Sequence, residues 1–333
     1  MAIGVASNFQ IYNAQFWGGF TEELAQSTAP LTGAGIRVTA RPVAGHYELQ
    51  SFVKAIAGLV SRRDITSVAA ATDTALTMGE NASVKLSRKI GPVAQAVDAL
   101  RKAALPFVAD WDATGEQGLS RYLGGQIAKA QAIDMLDAAL LALRTFLENA
   151  NTNSNRHVIA TNGTMTNAAL VTALGLLGDA SQQVAAWVMH SKVYFDLLAL
   201  QTALATGGTD MAFGTMMSGT PISLNRPILV SDSASLVVTG SPNLYRTLGL
   251  VDGAAELVTS EEQTLVSDLV TGLEQLVVRL QGEFAYNLGV KGATWDMANG
   301  GANPNPTALG TATNWDMVAT DKRELAGVVI ISG

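Results

Sequence analysis

No cysteine occurs among the 333 residues, which excludes disulfides and thiolate metal centres. Histidine is nearly as scarce. His46, His157 and His190 lie far apart, and none falls in H-E-x-x-H or another metal-binding spacing. Charged residues make up 15% of the chain, well under the roughly 25% of an average soluble protein. No stretch approaches the ~20 uninterrupted apolar residues of a membrane-spanning helix. Basic residues number 21 against 28 acidic ones, for a net charge of −7. That balance is poor for specific nucleic-acid binding, because neutralising phosphates needs clustered Lys and Arg. Met1 to Gln10 carry neither a basic n-region nor an apolar h-region, so no secretory signal is expected. The sequons at Asn81 and Asn162 then carry no meaning for glycosylation.

What the chain does have is apolar surface. Hydrophobic residues reach 48% and mean hydropathy is +0.23, with Ala and Gly supplying much of the excess. Without a membrane span, that excess must be buried in a core or between subunits. The length suits one large domain or two moderate ones.

Residues 1–34 concentrate Phe9, Tyr12, Phe16, Trp17 and Phe20 beside Gly18 and Gly19. The segment is too short for its own core, so these aromatics need a surface. It is either a docked N-terminus or an arm reaching a neighbour, with a short helix around Thr21–Gln26. Residues 35–43 and 83–90 alternate with period two and predict strands. Arg37 and Arg41 line one polar face, Lys85 and Lys89 the other. The long excursion 44–82 between them reads as a hairpin-like flap. Its stacked cations call for an acidic partner surface or for a solvated basic face.

Residues 116–148 read as one long helix, about 45 Å at ~1.5 Å per residue. Thr114 and Gln117 have capping-box spacing at its start. Gly124 and Gly125 weaken its first half. After an Asn-rich linker, Asn149–Asn155, the chain alternates between helix and strand. The spacing predicts strands at His157–Thr161 and Val184–Met189, and helices at Met165–Leu177 and Lys192–Leu204, the latter capped by Ser191. Further strands fall in Pro221–Ser233 and Leu236–Thr239, and Val251-Asp252-Gly253 turns into a strand over Ala254–Val258. The clearest alternation is 275–291, with Leu276, Val278, Leu280, Phe284, Tyr286, Leu288 and Val290 on one side. That is roughly 50 Å of extended chain, with bends expected at Gly282 and Gly289. A last strand covers Gly327–Ser332. A strand and a helix of such reach predict an elongated α+β plate.

Three patterns resemble chemical sites. Asp110-Trp-Asp112-Ala-Thr114 after an apolar run resembles the first motif of aspartate-nucleophile phosphatases, with Asp110 as nucleophile, Asp112 as acid/base and a bridging Mg²⁺. Pro106 breaks the run, and no acidic pair follows for the metal. The same residues, with Gly115, mimic a calcium loop whose twelfth position should be Glu but is Arg121. His190-Ser191 could pair as base and nucleophile, although adjacent residues at a strand end rarely aim at each other. Gly33-Ala34-Gly35 lacks the third glycine of a dinucleotide fingerprint, and there is no phosphate-loop G-K-[ST]. Trp187, Trp295 and Trp315 suit core or interface anchoring better than stacking on bases. No catalytic, cofactor-binding or metal residue is therefore expected.

Trp187-Val-Met-His190-Ser191-Lys-Val-Tyr194-Phe-Asp-Leu197 closely resembles a strand-to-helix turn in a group of tailed-bacteriophage major capsid proteins. Ala168–Asp179, Tyr286–Asp296, Asn303-Pro-Asn-Pro306-Thr307 and Asn314-Trp315 fit the same pattern, as does the order of elements. The resemblance covers most of the chain and implies the Hong Kong 97 type capsid fold. It places an N-arm at 1–34 and an extended loop at 35–95. A peripheral domain would comprise 96–150 and 260–292, and an axial domain 151–259 and 293–333. It implies a structural protein that forms hexamers and pentamers of an icosahedral shell around double-stranded DNA, contacting that DNA non-specifically. Partners would be identical subunits, a portal, a scaffolding protein (separate, since the chain starts at the arm, or none) and decoration proteins. The place would be the virion capsid, assembled in the host cytoplasm without a membrane. Lys54 lies where some relatives cross-link to a neighbour, but no motif ties it to that role. Deleting 1–34 is expected to cripple assembly and leave the body folded. A nanocompartment shell protein is the alternative, and the phosphatase a distant third.

Overall fold

A computed structural model describes residues 13–41, 47–53, 65–66, 78–108, 115–148, 158–160, 163–207, 223–319 and 322–333. Its largest sheet has the order β1-β9-β10-β3-β2. The strands are β1 (Ile36–Ala40), β2 (Tyr47–Val53), β3 (Met78–Ala96), β9 (Ala255–Val270) and β10 (Val277–Val290). A second sheet runs β4-β13-β8-β5-β6, with β7 beside β8. It contains β4 (Val158–Ala160), β5 (Val184–Met189), β6 (Ile228–Val230), β7 (Val237–Val238), β8 (Leu244–Val251) and β13 (Gly327–Ser332). Between β10 and β13, β11 (Ala293–Trp295) pairs with β12 (Trp315–Met317).

The period-two pattern of β10 becomes a two-faced strand. Phe284, Tyr286, Leu288 and Val290 are buried, whereas Arg279, Gln281 and Glu283 face solvent. The expected bend at Gly282 coincides with a shift in register against β3. A Cβ at Gly282 would lie 2.7 Å from the Thr264 carbonyl oxygen. Helix α3 (Glu116–Leu147) lies along the buried face. It is held there by Asp134, which accepts from Arg88 Nε of β3 at 2.9 Å and from the Tyr286 hydroxyl at 2.8 Å. Burial, and then the Asp134 charge, raise the Tyr286 hydroxyl pKa above its ordinary value, so it remains a donor. One core runs from Leu31 and Ile36 through α3 and into the second sheet at Val328–Ile330.

The flap pairs differently from expectation. β1 does not pair with β3; it runs parallel to β9, Ile36 opposite Ala255. β3 pairs antiparallel with β10 on one side and with β2, inside the expected excursion, on the other. The remaining flap positions, 54–64 and 67–77 with Lys54 among them, fall outside the described residues, as do His46 and His157. The acidic groups that the stacked cations call for come from this chain. Arg37 pairs with Asp252 at 2.6 Å, and Lys85 pairs with Glu261.

The helix expected over Thr21–Gln26 extends as α1 from Asn13 to Gly33 and packs on α3 of its own chain. The glycines that weaken α3 explain why. A Cβ at Gly124 would sit 2.2 Å from the Phe16 carbonyl oxygen, and one at Gly19 2.3 Å from that of Arg121. Helix propensity is given up so that two backbones can touch. Glu22 with Arg121 and Glu23 with Lys129 flank the contact. Phe16, Phe20 and Leu31 are core residues here, so deleting 1–34 is expected to strip core from the body as well as remove the arm. Thr114 lies outside the described residues. The residue that precedes α3 is Gly115, at φ +72°, with no side-chain cap.

Candidate functional site

Of the three chemical readings, only His190-Ser191 falls wholly among the described residues. Asp110, Asp112 and Thr114 fall outside them. Gly115 and Arg121, the other members of the calcium-like loop, serve as the entry to α3 and as the ion-pair partner of Glu22. No group of three or more His, Asp or Glu residues able to hold a metal occurs among the described residues.

His190 and Ser191 sit where β5 turns into α4 (Ser191–Gly207). His190, not Ser191, caps the helix. Its Nδ1 accepts the Lys192 N–H at 3.1 Å, and its carbonyl accepts the Tyr194 N–H at 3.1 Å. The Ser191 N–H donates to Asp232 Oδ1 at 3.2 Å. Hydrogen bonds from the Ser191 hydroxyl, then from its backbone N–H, hold the Asp232 carboxyl below the usual carboxylate range. The hydroxyl therefore addresses the carboxylate and leaves the imidazole without a nucleophile. The His190 ring lies 4.8 Å from the Tyr245 ring.

Several residues of the resembling motif have a structural task. Trp187 is fully buried, with Nε1 donating to the Ser223 carbonyl at 3.1 Å. His190 caps, Asp196 accepts from Lys192 Nζ at 2.5 Å, and Leu197 is buried. Trp295 and Trp315 meet edge to face at 4.9 Å, each donating from Nε1 to a backbone carbonyl, of Gly301 and Leu309, at 3.0 Å. They are core anchors, as the sequence suggested.

The surface holds what the interior lacks. Where β9, β10 and β3 end together, Val277 opposes both Val270 and Ala96. Near that end Val93, Leu105, Val266, Leu273 and Leu276 are all exposed, Leu105 to 67%. Their positions spread over β3, the turn after α2 (Val97–Ala104), β9 and the 271–276 turn. An apolar groove between α1 and α3 is lined by Pro30, Ile133, Leu136 and Leu229. Single exposed apolar residues need no explanation; here several collect at one end of a long sheet. No helix among the described residues is long and apolar enough to cross a membrane.

No curated protein matches the chain. Among solved structures, the capsid of Ralstonia phage GP4 superposes with a TM-score of 0.52 at 13% identity, covering 90% of this chain and 87% of that one. A structure from Mycobacterium phage Bobi gives 0.51 at 10% identity over 93% and 90%, and one from Microbacterium phage Oxtober96 gives 0.50 at 12% over 90% of each. At such identities the likeness concerns fold alone, and it is the α+β phage major capsid fold expected from the sequence. A family model described as "Major capsid protein 13-like" matches residues 8–329. With nearly the whole length matched, the chain belongs to the major capsid protein 13-like family of phage capsid proteins.

Proposed function

We propose that this subunit self-assembles into hexamers and pentamers of an icosahedral shell that encloses double-stranded DNA, with a structural and not a catalytic role. The match of residues 8–329 to a major capsid protein family carries the reading. The exposed apolar end of the long sheet supports it, because a neighbour would cover that end. The proposed peripheral domain is 96–150 with 260–292, and the proposed axial domain is 151–259 with 293–333. β9 starts in one and ends in the other, so a continuous strand would couple them. Residues 1–34 and 35–95 would be the arm and the extended loop. Each subunit would bury interface at or above the roughly 2,000–5,000 Å² of obligate assemblies. Many weak contacts would add through effective concentration. A net charge of −7 would let packaged DNA slide past the wall. Portal, scaffolding and decoration proteins are the further partners, and assembly would take place in the host cytoplasm, with the product in the virion.

Purified chain examined by sedimentation and negative-stain microscopy, over a range of salt and concentration and with a scaffold, should give closed particles or capsomers. Monomers that persist under all these conditions would overturn the reading.

A further inference from the structure

The exposed face of the five-stranded sheet holds a polar cavity of about 190 Å³, lined among others by Asn81, Ser83, Glu256, Asn287, Gly289 and Lys291. Tyr286 and Leu288 point into the core, so Asn287 and Gly289 belong to the opposite face. That face is solvated further along β10, at Arg279, Gln281 and Glu283. Asn287 is nevertheless 0% exposed. Among the described residues neither its Oδ1 nor its Nδ2 has a hydrogen-bond partner, and the Asn81 Oδ1 is in the same condition. A buried carboxamide left unpaired on both atoms is costly, and native structures hold few of them.

We infer that this cavity receives a neutral amide, a side-chain carboxamide or a peptide unit, presented by a second copy of this chain. The choice of ligand follows from the lining. A group that is donor and acceptor in one plane is best matched by another amide, through paired N–H···O bonds. Glu256 and Lys291 bring opposite charges to the same rim, so a net anion or cation gains at one and loses at the other, while a dipole suits both. The volume has room for a side chain or a peptide unit. Gly289 keeps the space open; a Cβ there would meet the Ser83 Cβ at an ordinary 3.5 Å. The occupant is a second copy because the inference rests on the shell reading above, in which copies of this chain are the surfaces that press on the sheet.

Two variants and one exchange measurement test it on the full chain. Asn287→Leu removes both unpaired atoms at similar volume, and Gly289→Val fills the cavity with a strand-favouring side chain. Both should fold with a melting temperature at or above that of the unmodified subunit, and both should lose at least ten-fold in particle yield. In unmodified particles, amide hydrogen exchange at 81–84 and 287–290 should slow at least ten-fold relative to dissociated subunits. Particles at full yield from either folded variant, or equal exchange in particle and subunit, would overturn the inference and leave the cavity to water. Should a variant fail to fold, the exchange comparison decides by itself. If the unmodified chain forms no particles, the shell reading falls first and takes this inference with it.

Discussion

Trp187→Ala should lower the stability of the subunit by about 3–5 kcal/mol, the usual range for truncating a buried aromatic. The ring is fully buried in the second sheet, and its Nε1–H is committed to the Ser223 carbonyl. Its removal leaves a cavity and takes from that carbonyl one of two donors, the other being the Arg226 N–H at 3.2 Å. The neighbouring strand is shaped to the ring. A Cβ at Gly249 of β8 would stand 2.6 Å from Trp187 Cζ3 and 2.9 Å from Val328 Cγ2, so Gly249→Val should also destabilise, by overpacking, by at least ~1–3 kcal/mol. The two losses should not add. With the ring gone, the valine has somewhere to go, and the double variant should recover at least ~1 kcal/mol of the summed cost. Urea denaturation of the four proteins measures this. Strict additivity would mean that the strand and the ring are not packed as described.

That contact also shows what the sequence discloses and what it hides. Trp187, His190, Ser191, Tyr194 and Leu197 announce a strand turning into a helix, because a short apolar run gives way to helical spacing at a polar pair. The expected boundaries Val184–Met189 and Gly327–Ser332 coincide with β5 and β13. Local chemistry favours Ser191 as the cap, since serine is the commoner cap residue. It is His190 that turns inward to Lys192 N, because Asp232, 41 residues away from Ser191 in sequence, claims the serine. β8 escaped notice because Leu244–Val251 is buried along most of its length, and a strand covered on both faces has no alternation to read. β9 was legible only to Val258, where Glu261 and the polar residues beyond interrupt the pattern. Its continuation to Val270 is fixed by pairing with β10. Strand partners were the hidden part of the flap. Period two identifies β1 and β3 but cannot say that β1 belongs to β9. The candidate binding face was equally hidden, since Asn287 reads as one more polar position of an alternating strand. Only folding reveals that it is enclosed and unpaired.

Arg246→Met should cost about 3 kcal/mol or more, the lower part of the range for breaking a buried ion pair. Arg246 of β8 and Glu148 at the end of α3 expose 9% and 18% of their side chains. Arg246 meets both carboxylate oxygens, through Nε and, at 3.2 Å, through Nη2. Its Nη1 donates to the Val237 carbonyl at 2.8 Å. Glu148 needs that partner, because a carboxylate at a helix C-terminus meets the negative end of the macrodipole. Arg144, one turn earlier on α3, limits the damage. Burial and then the Arg246 charge hold its guanidinium below its ordinary pKa, while Glu148 opposes them. With Arg246 gone, Arg144 is left as the only one of the two cations beside the carboxylate. Glu148→Leu is the opposite case: two arginines remain near each other without the charge between them, and the loss should be comparable. Arg246→Met with Glu148→Leu removes the pair and eases the repulsion at Arg144, so the double variant should regain most of the stability of the unmodified chain. Denaturant midpoints of the three variants decide it. A single variant that loses under ~1 kcal/mol would show that the pair is solvated and that the junction between α3 and the second sheet is held by apolar packing instead.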